Sequence, residues 1–364
     1  MNYKETLFFI GKCLTINHEV HHKISIEQEL KSQNLDWESV VKVSTSHYVF
    51  PALYCNLKKA GFLHYLPDDL VKYMKHITDL NRERNQQIIT QAKEINTLLL
   101  ENNITPIFLK GTGNLLEGLY DDIAERMVGD IDFLVKKSDY PKTIELLIND
   151  GYQKEETSYD DMTFHWHYPP LLKESKLASV EIHKEILKDT HTHFLNYDSI
   201  IKNIVQKKSF LFESIEDKIL NALLPKIIND NLYHSKNFSL RTMYDVFLLY
   251  SQKQDIRIEI SNKRLYKKFK NVVECTQLTL STKNLILSTS TPSENRYLTS
   301  YLKTLNNSKL EKRKAFLFDK YTLNKNRLNL FIQSFKNIEY RKYALKRLTR
   351  LDFYKRLMGI RPNS

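Results

Sequence analysis

The chain is poor in the residues that interrupt regular structure. Its 364 residues include only 8 glycines and 9 prolines, less than half of the roughly 12% that these two residues contribute to an average protein. Because few tight turns can be built from so little, long helices should dominate, and collagen-like, linker-rich and β-sandwich folds are disfavoured. The sequence also has no glycine-rich phosphate loop of the P-loop or dinucleotide-binding type.

Cysteines and long apolar runs are scarce as well. The three cysteines, Cys13, Cys55 and Cys275, are far apart and odd in number, which indicates neither a disulfide framework nor a zinc site. No stretch approaches the roughly 18 apolar residues of a membrane span, and the first residues lack the cleavage site of a signal peptide. We therefore expect a soluble, cytoplasmic protein without a membrane span.

The net charge is concentrated at one end of the chain. The formal net charge of +12 lies entirely within residues 309–364, which contain sixteen Lys/Arg and four Asp/Glu, while the remainder is neutral. A basic tail on a neutral body is typical of proteins that meet an anionic partner.

Short apolar runs alternate with helical segments between about residues 100 and 185, and helical patterns dominate on both sides. The sequence therefore predicts an α+β fold, a small mixed sheet within a largely helical chain. Its four regions are an N-terminal helical region (1–84), a core (85–200), a C-terminal helical region (201–308) and a basic helical tail (309–364). The predicted strands are Thr105–Leu109, Gly129–Val135, Thr163–Tyr168 and Ala178–His183. The predicted helices are Trp37–Leu57 with a break at Pro51, Asp79–Asn103, Thr112–Tyr120, Pro141–Asp150, Glu216–Ile228 and Leu240–Tyr250.

The most informative segment is the run Asp130-Ile-Asp132-Phe-Leu-Val. Side chains on a strand alternate, so Asp130 and Asp132 share one face. Two carboxylates so close together can bind one divalent cation, and oxygen ligands that leave room for water are what Mg²⁺ prefers when it also binds a triphosphate. The alternative is a strand edge whose aspartates only face water.

The context of this run carries a resemblance. Phe-Leu-Lys110-Gly-Thr precedes it, Arg126 stands four residues ahead of Asp130, and Val-Glu181-Ile-His183 follows downstream. In this order and spacing, roughly residues 30–250 resemble the polymerase-β-like nucleotidyltransferase superfamily, and within it the bacterial branch called "uncharacterised nucleotidyltransferase".

The resemblance implies an activity and a site. The activity is transfer of a nucleoside monophosphate from an NTP, such as ATP, to an acceptor hydroxyl or phosphate, with release of pyrophosphate and with two Mg²⁺ ions as cofactors. The implied metal ligands and catalytic residues are Asp130, Asp132 and Glu181. The implied nucleotide-binding residues are Lys110, Gly111, Thr112, Arg126 and His183.

Two of these assignments leave alternatives open. Between Gly111 and Asp130 lie 18 residues, more than is usual in the superfamily, so the exact phosphate contacts are undecided. Arg126 could stabilise phosphate charge or pair with Asp121, Asp122 or Glu125. A further pair, Arg241 and Asp245, stands at helical i, i+4 spacing, as in an Arg-x-x-x-Asp helix of the same branch, and a structural ion pair between them is expected.

Two other functions compete with the transferase. A cluster of histidines, of which His165 and His167 form H-x-H, could bind Zn²⁺ or iron together with His183 and Glu181, as in a metallohydrolase. The second alternative is a non-catalytic, nucleic-acid-binding protein derived from a transferase. The three acidic residues at the expected positions argue against such decay.

The acidic pair and the tail each lead to an expectation. Since like charges repel unless a metal binds, replacing either Asp130 or Asp132 with asparagine should leave stability unchanged or raise it. In the tail, Lys342, Lys346 and Arg350 repeat every four residues and lie among tyrosines. This pattern suits RNA as the acceptor, although a solvated helix face or an acidic partner would suit it equally well.

Overall fold

The chain folds into two compact units. The computed structural model describes residues 1–155, 165–253, 255–282, 295–306 and 308–348. One unit comprises Met1–Glu156 with Trp166–Ser308, and the other comprises Thr157–His165 with Lys309–Ser364. The first unit contains a seven-stranded mixed sheet among helices. The predicted α+β class is therefore confirmed, whereas the predicted region boundaries stay predictions.

Helices form the first third of the chain. They are α1 (Tyr3–Leu14), α2 (Val20–Lys31), α3 (Trp37–Ser46), α4 (Phe50–Ala60) and α5 (Asp68–Glu101). Pro51 lies in the first turn of α4, where its missing N–H costs nothing, so the predicted break is confirmed. The long helix α5 begins earlier than predicted, because two aspartates in its first turn suit the positive helix end and Met74 and Thr78 continue its buried stripe.

The sheet is short-stranded and mixed. Its strands are β1 (Ile107–Phe108), β2 (Asp130–Leu134), β3 (Gln153–Lys154), β4 (Leu171–Leu172), β5 (Ser179–His183), β6 (Val205–Lys207) and β7 (Phe210–Phe212). The strand order is β3-β4-β5-β2-β1-β7-β6. The pairs β2–β5 and β1–β7 are parallel, and the remaining pairs are antiparallel. β2 therefore occupies the centre, with Ile131, Phe133 and Leu134 fully buried.

The structure confirms some of the predicted strands and differs from others. The strands over 129–135 and 178–183 are confirmed as β2 and β5, each shorter than predicted, and the strand predicted over 105–109 is confirmed as the two-residue β1. Residues 163–164 lie outside the described residues, and the rest of that predicted strand makes a single antiparallel bridge between His167 and His183. The hairpin β6–β7 lies in a stretch predicted to be helical. Its apolar run, Phe210–Phe212, is too short to show a period, and only its pairing with β1 makes it a strand.

Helices cover the sheet and extend the core. They are α6 (Lys110–Glu117), α7 (Tyr140–Asn149), α8 (Tyr197–Ile200), α9 (Ile215–Ile228), α10 (Leu232–Ser235), α11 (Leu240–Ser251), α12 (Lys263–Leu280) and α13 (Arg296–Asn306). α6 ends at Gly118, whose φ of +84° is accessible to glycine at little cost. α9 packs against α11 and α12, and α11 lies beside α12. One hydrophobic core joins these helices to the buried face of the sheet.

The second unit contains two helices in its described part, α14 (Ser308–Lys336) and α15 (Ile338–Leu348). Of the predicted basic stripe, Lys342 and Lys346 lie on α15, and Arg350 lies outside the described residues. Across the described ranges, no helix has both the length and the apolar character needed to cross a membrane.

The contact between α6 and β1 should tolerate no added side chain. A Cβ at Gly113 would overlap the carbonyl oxygen of Phe108, whereas a Cβ at Gly129 would meet nothing within 4 Å. We expect Gly113→Ala to lower the free energy of unfolding by about 1–3 kcal/mol, because backbone must move. Gly129→Ala should change it by less than about 0.5 kcal/mol. Urea denaturation of both variants is the measurement, and equal stability of the two would contradict the packing described here.

Candidate active site

Two neighbouring strands bring the acidic side chains together. β2 and β5 run parallel, and their register places Asp132 beside Glu181 and Leu134 beside His183. Because side chains alternate between the faces of a sheet, Asp130 and Asp132 project from the same face as Glu181 and His183. Because the two strands are far apart along the chain, local sequence patterns do not show that they are adjacent.

Asp132 is the buried centre of this cluster. Its side chain is only 6% exposed. Oδ1 lies 2.9 Å from Nε2 of His183, and Oδ2 accepts a hydrogen bond from Nζ of Lys110 at 3.0 Å. Burial by itself would raise the pKa of Asp132, but Lys110 and His183 outweigh burial and hold that pKa well below its usual range. The carboxylate therefore stays charged.

Lys110 reaches Asp132 from the turn between β1 and α6. β1 pairs with β2, and the N–H of Leu109 donates to the carbonyl of Asp132 at 2.9 Å. The chain then turns through Lys110, whose φ of +48° is a left-handed conformation that costs a lysine energy. Burial would lower the pKa of Lys110, but the charge of Asp132 outweighs it and raises that pKa. A strained backbone thus presents an ammonium group to the carboxylate cluster.

Asp130 lies on the same strand face in a different electrostatic environment. The charge of Asp132 and then burial raise the pKa of Asp130. Thr112 donates a hydrogen bond to the backbone carbonyl of Asp130 at 2.9 Å, which ties α6 to the start of β2. The two aspartates therefore differ, since one is neutralised by cations and the other is destabilised by its neighbour.

Three ligand atoms of this cluster could hold a metal ion. Asp132, Glu181 and His183 each offer one, and the three atoms all lie within 4.8 Å of one another. Carboxylate oxygens suit Mg²⁺, and an imidazole nitrogen suits transition metals. The donor set fits a divalent cation. The sequence predicted Asp130 as a member of this set, and the structure brings His183 to that place while Asp130 lies beside it.

His183 is held on both sides by acidic groups. Its Nε2 lies 3.6 Å from Oε2 of Glu181 in addition to its contact with Asp132. Burial by itself would lower the pKa of His183, but the hydrogen bond with Asp132 and the nearby carboxylate of Glu181 outweigh it and raise that pKa. His183 was predicted to bind nucleotide, and its ring is instead engaged with the carboxylates. Its role toward nucleotide stays a prediction.

A cavity of about 270 Å³ opens beside the carboxylates. The sheet side contributes the acidic cluster and Lys110, and the opposite side is formed by α9 and α11. Glu213, which follows β7, lies in this wall. Its Oε1 and Oε2 accept hydrogen bonds from the side-chain amide of Asn221 at 3.1 and 3.0 Å. Burial raises the pKa of Glu213 to about 8. Sequence reasoning missed Glu213 because no motif marks it.

Arg126 is buried against α11. Its Nε lies 3.0 Å from both carboxylate oxygens of Asp245, and Tyr120 donates to the same carboxylate at 2.7 Å. The side chains of the ion pair are 10% and 8% exposed. Burial by itself would lower the pKa of Arg126, but Asp245 outweighs it and raises that pKa. This pair joins the segment ahead of β2 to a helix more than a hundred residues away.

The partners proposed for Arg126 from the sequence are wrong. Asp121, Asp122 and Glu125 are engaged elsewhere, with Lys59, Arg82 and the hydroxyl of Tyr244, respectively. They stand close to Arg126 in sequence, but the short 3₁₀ turn Ile123–Glu125 directs them toward the N-terminal helices and α11.

Arg241 also differs from its predicted role. It does not form the expected structural ion pair with Asp245, since that carboxylate is buried with Arg126. Instead Nη1 of Arg241 donates to the carbonyl of Met127 at 3.0 Å, and the guanidinium lies 4.8 Å from the ring centre of Tyr48. Its Nε is buried and has no hydrogen-bond partner among the described residues. Burial and the charge of Arg126 lower the pKa of Arg241, so the cation lacks full compensation beside the cavity.

Comparison with known proteins assigns the family. Residues 33–267 match the family described as uncharacterised nucleotidyltransferase. The chain belongs to this family. Neither the curated proteins nor the solved structures contain a match to the chain. The resemblance inferred from the sequence is confirmed, and the matched residues include the whole carboxylate cluster and its cavity.

In this nucleotidyltransferase the predicted phosphate-binding residues stand at the start of α6. Lys110 and Gly111 line the cavity, and a Cβ at Gly111 would lie 3.3 Å from Nη2 of Arg126. Thr112 is buried, and its hydroxyl already donates a hydrogen bond to the backbone carbonyl of Asp130. The first N–H groups of a helix lack intrahelical partners and favour anions. The phosphate contacts themselves stay a prediction.

The histidine cluster of the competing hydrolase is assembled only in part. The rings of His167 and His183 lie 5.1 Å apart, and Nδ1 of His167 lies 2.8 Å from the carbonyl of Tyr168. His165 belongs to the second compact unit. Within the described residues, the cluster that could hold a metal includes His183 but neither of the other two histidines. The family and this donor set favour the transferase.

The two aspartates of this nucleotidyltransferase should respond oppositely to replacement. Asp132→Asn removes the charge between Lys110 and His183, so we expect a loss of about 1.5–3 kcal/mol in the free energy of unfolding. For Asp132 this expectation replaces the unchanged or raised stability expected from the sequence, because Lys110 and His183 compensate its charge. Asp130→Asn removes a repulsion and should leave stability unchanged or raise it. Urea denaturation with a chelator at neutral pH measures both.

The pH dependence gives an independent check of the same pair. The pKa of Asp132 is below its ordinary value of 3.8, so its stabilising contribution is present above that value and is lost as the pH falls below it. The stability gap between the wild type and Asp132→Asn should therefore shrink as the pH decreases from about 4 toward 2. A gap that is constant over this range would contradict the charge pairing.

Proposed function

We propose that the protein catalyses Mg²⁺-dependent transfer of a nucleoside monophosphate from an NTP to an acceptor hydroxyl or phosphate. The acceptor oxygen forms a bond to the α-phosphorus, the bond from that phosphorus to the bridging oxygen breaks, and pyrophosphate leaves. The observation that supports this proposal is the pairing of Asp132 with Glu181 on adjacent parallel strands, beside a cavity that also contains cationic groups. Phosphoryl-type transfer needs this combination.

The metal would be held by the carboxylate cluster. Asp132 and Glu181 supply oxygen ligands, Asp130 supplies a further oxygen from the same strand face, and His183 orients Asp132 through its hydrogen bond at 2.9 Å. When bound, the divalent cation supplies charge neutralisation to the phosphates and to the attacking oxygen. Lys110 now neutralises Asp132, and we infer that its ammonium shifts toward the triphosphate when substrate enters.

Glu181 is the residue assigned to the acceptor. It is less buried than its neighbours, with 21% of its side chain exposed against 6% for Asp132. Its carboxylate can therefore contact an acceptor and take the proton that the attacking hydroxyl releases. His183 and His167 flank it at 3.6 and 3.9 Å, which fixes the carboxylate in place.

The triphosphate would be bound by groups on two sides of the cavity. On the sheet side these are the ammonium of Lys110 and the backbone N–H groups at the start of α6. On the helical side Arg241 is a cation with donor capacity left, since its Nη1 is engaged by Met127 and its Nε has no hydrogen-bond partner among the described residues. The sequence predicted that Arg126 binds phosphate, but its charge is neutralised by Asp245. We therefore assign phosphate contact to Arg241 and positioning of the cavity wall to Arg126.

The carboxylates provide the direct test of transfer. With each radiolabelled NTP, Mg²⁺ and cell extract as the source of acceptor, the wild type should transfer label and release pyrophosphate, and a chelator should stop both. Asp130→Asn and Asp132→Asn should abolish transfer. Glu181→Gln should lower turnover by roughly 10²–10⁴-fold with a smaller effect on NTP binding.

The matched control is Glu174→Gln, which changes an exposed acid in the loop before β5 and should retain full activity. Variants of the three carboxylates that turn over normally would remove them from the mechanism. Stoichiometric zinc in the purified protein, with hydrolysis and no transfer, would favour the histidine-based hydrolase instead.

The assignment of Arg241 has its own test. Arg241→Gln should raise the KM for the NTP and weaken pyrophosphate binding, each about 10–100-fold, since a hydrogen bond to a charged group is lost. Arg241→Lys should recover part of the binding. Arg84→Gln is the control, because Arg84 likewise donates to a backbone carbonyl, that of Val128 at 3.2 Å, but does not line the cavity. Equal effects of both glutamine variants would show a structural role only.

A further inference from the structure

The helices of the second unit expose large apolar side chains to solvent. Leu328, Phe331 and Phe335 have exposed fractions of 60%, 61% and 67%. Other members of the same set are Leu317, Tyr321, Ile332, Ile338 and Leu345, each at least 44% exposed. Exposed apolar patches of this extent on a soluble chain mark a surface that another molecule covers. We refer to these eight residues as the apolar stripe.

The apolar stripe runs along one nearly continuous helix. The N–H of Asn337, between α14 and α15, donates to the carbonyl of Gln333 at 2.9 Å, and Arg341 donates to Asn337 at 3.1 Å. The helical ladder therefore continues through the junction. At 100° per residue the stripe falls within an arc of about 140° and extends over about 40 Å. The exposed Phe316 lies outside this arc.

Cations border the apolar stripe on both sides. Lys325 and Lys336 fall on one margin of the arc, Arg341 falls beyond the other, and Lys320 and Lys342 fall inside it; all five are exposed. Residues 309–364 contain only four acidic residues against sixteen basic ones. Long basic side chains beside an apolar face can extend their charged ends toward anions while their stems cover apolar surface.

We propose that α14 and α15 bind an anionic lipid surface, lying in its plane with the apolar stripe toward the acyl chains. A helix with Phe, Leu and Ile on one face and Lys and Arg beside them occupies the boundary between headgroups and acyl chains. The basic side chains then contact lipid phosphates, and this contact supplies the charge complementarity that selects the anionic surface. Such a site would hold the transferase unit close to a membrane-associated acceptor.

Other occupants fit these observations less well. A second copy of the chain would bring two segments of net charge +12 together, which is repulsive. In a coiled coil the core prefers Leu, Ile and Val, whereas the stripe carries Tyr321, Phe331 and Phe335 in its centre. RNA would use the basic and aromatic residues, but it offers no surface for Leu328, Ile332 and Ile338.

Vesicle binding of the full chain tests the proposal. We expect co-sedimentation with vesicles in which about a third of the lipid is phosphatidylglycerol and the rest phosphatidylcholine, and weak binding to pure phosphatidylcholine, because the charge attraction is missing. Added salt should weaken the binding. Equal binding to both vesicle types, or no binding to either, would overturn the proposal.

Single substitutions identify the surface that binds. Leu328→Glu and Phe335→Glu should each lower the partition coefficient by tenfold or more, on the order of the loss of one buried apolar side chain. Leu80→Glu is the matched control, since Leu80 is 49% exposed on α5 and should not affect partitioning. Because these positions are exposed, the variants should fold, and an unchanged midpoint of urea denaturation would verify this.

Two outcomes would assign the surface differently. Tight, salt-dependent RNA binding that charge reversal of Lys342 and Lys346 removes, with no binding to anionic vesicles, would replace the lipid surface with RNA. A dimer in light scattering that Leu328→Glu dissociates would replace it with a second copy of the chain. Neither outcome involves the catalytic carboxylates, so this test and the test of the transferase activity can fail separately.

Discussion

The site depends on one buried charge. Asp132 is a carboxylate in the central strand of the sheet, and it remains ionised because Lys110 and His183 each contact one of its oxygens. Those contacts require β1, β2 and β5 to be adjacent, so the folding of the sheet and the assembly of the cluster are a single event. A charge so placed costs stability unless it is compensated. The same compensation keeps Asp132 ionised, which is the form of a carboxylate that can bind a cation.

A second buried pair shapes the other side of the cavity. Arg126 and Asp245 connect the segment ahead of β2 with α11, and Tyr120 adds a hydrogen bond to the same carboxylate. This arrangement neutralises one arginine and leaves another, Arg241, with donors beside the cavity. A single ion pair therefore leaves Arg126 and Arg241 in different electrostatic environments. Removing either partner of such a buried ion pair lowers the stability of the fold, because the remaining charge is buried without compensation.

Local patterns in the sequence predicted much of the fold. The alternation around Asp130 and Asp132, and the run ending at His183, indicated two strands that the structure contains as β2 and β5. The break at Pro51 was also predictable, because proline has a specific place at a helix start. The hairpin β6–β7 was not predictable, since its strands are too short to show a period and depend on pairing with β1.

The sequence by itself determined the residue types of the site, their order and the family to which the chain belongs. It also determined where the charge lies, with a neutral body and a basic tail. Only the tertiary structure decided which charges meet. It paired Arg126 with Asp245 rather than with acids nearby in sequence, set Lys110 and His183 on Asp132, and left Arg241 beside the cavity. The reason is that ion pairing depends on distance in space, and for residues on different elements that distance is set by packing and strand register.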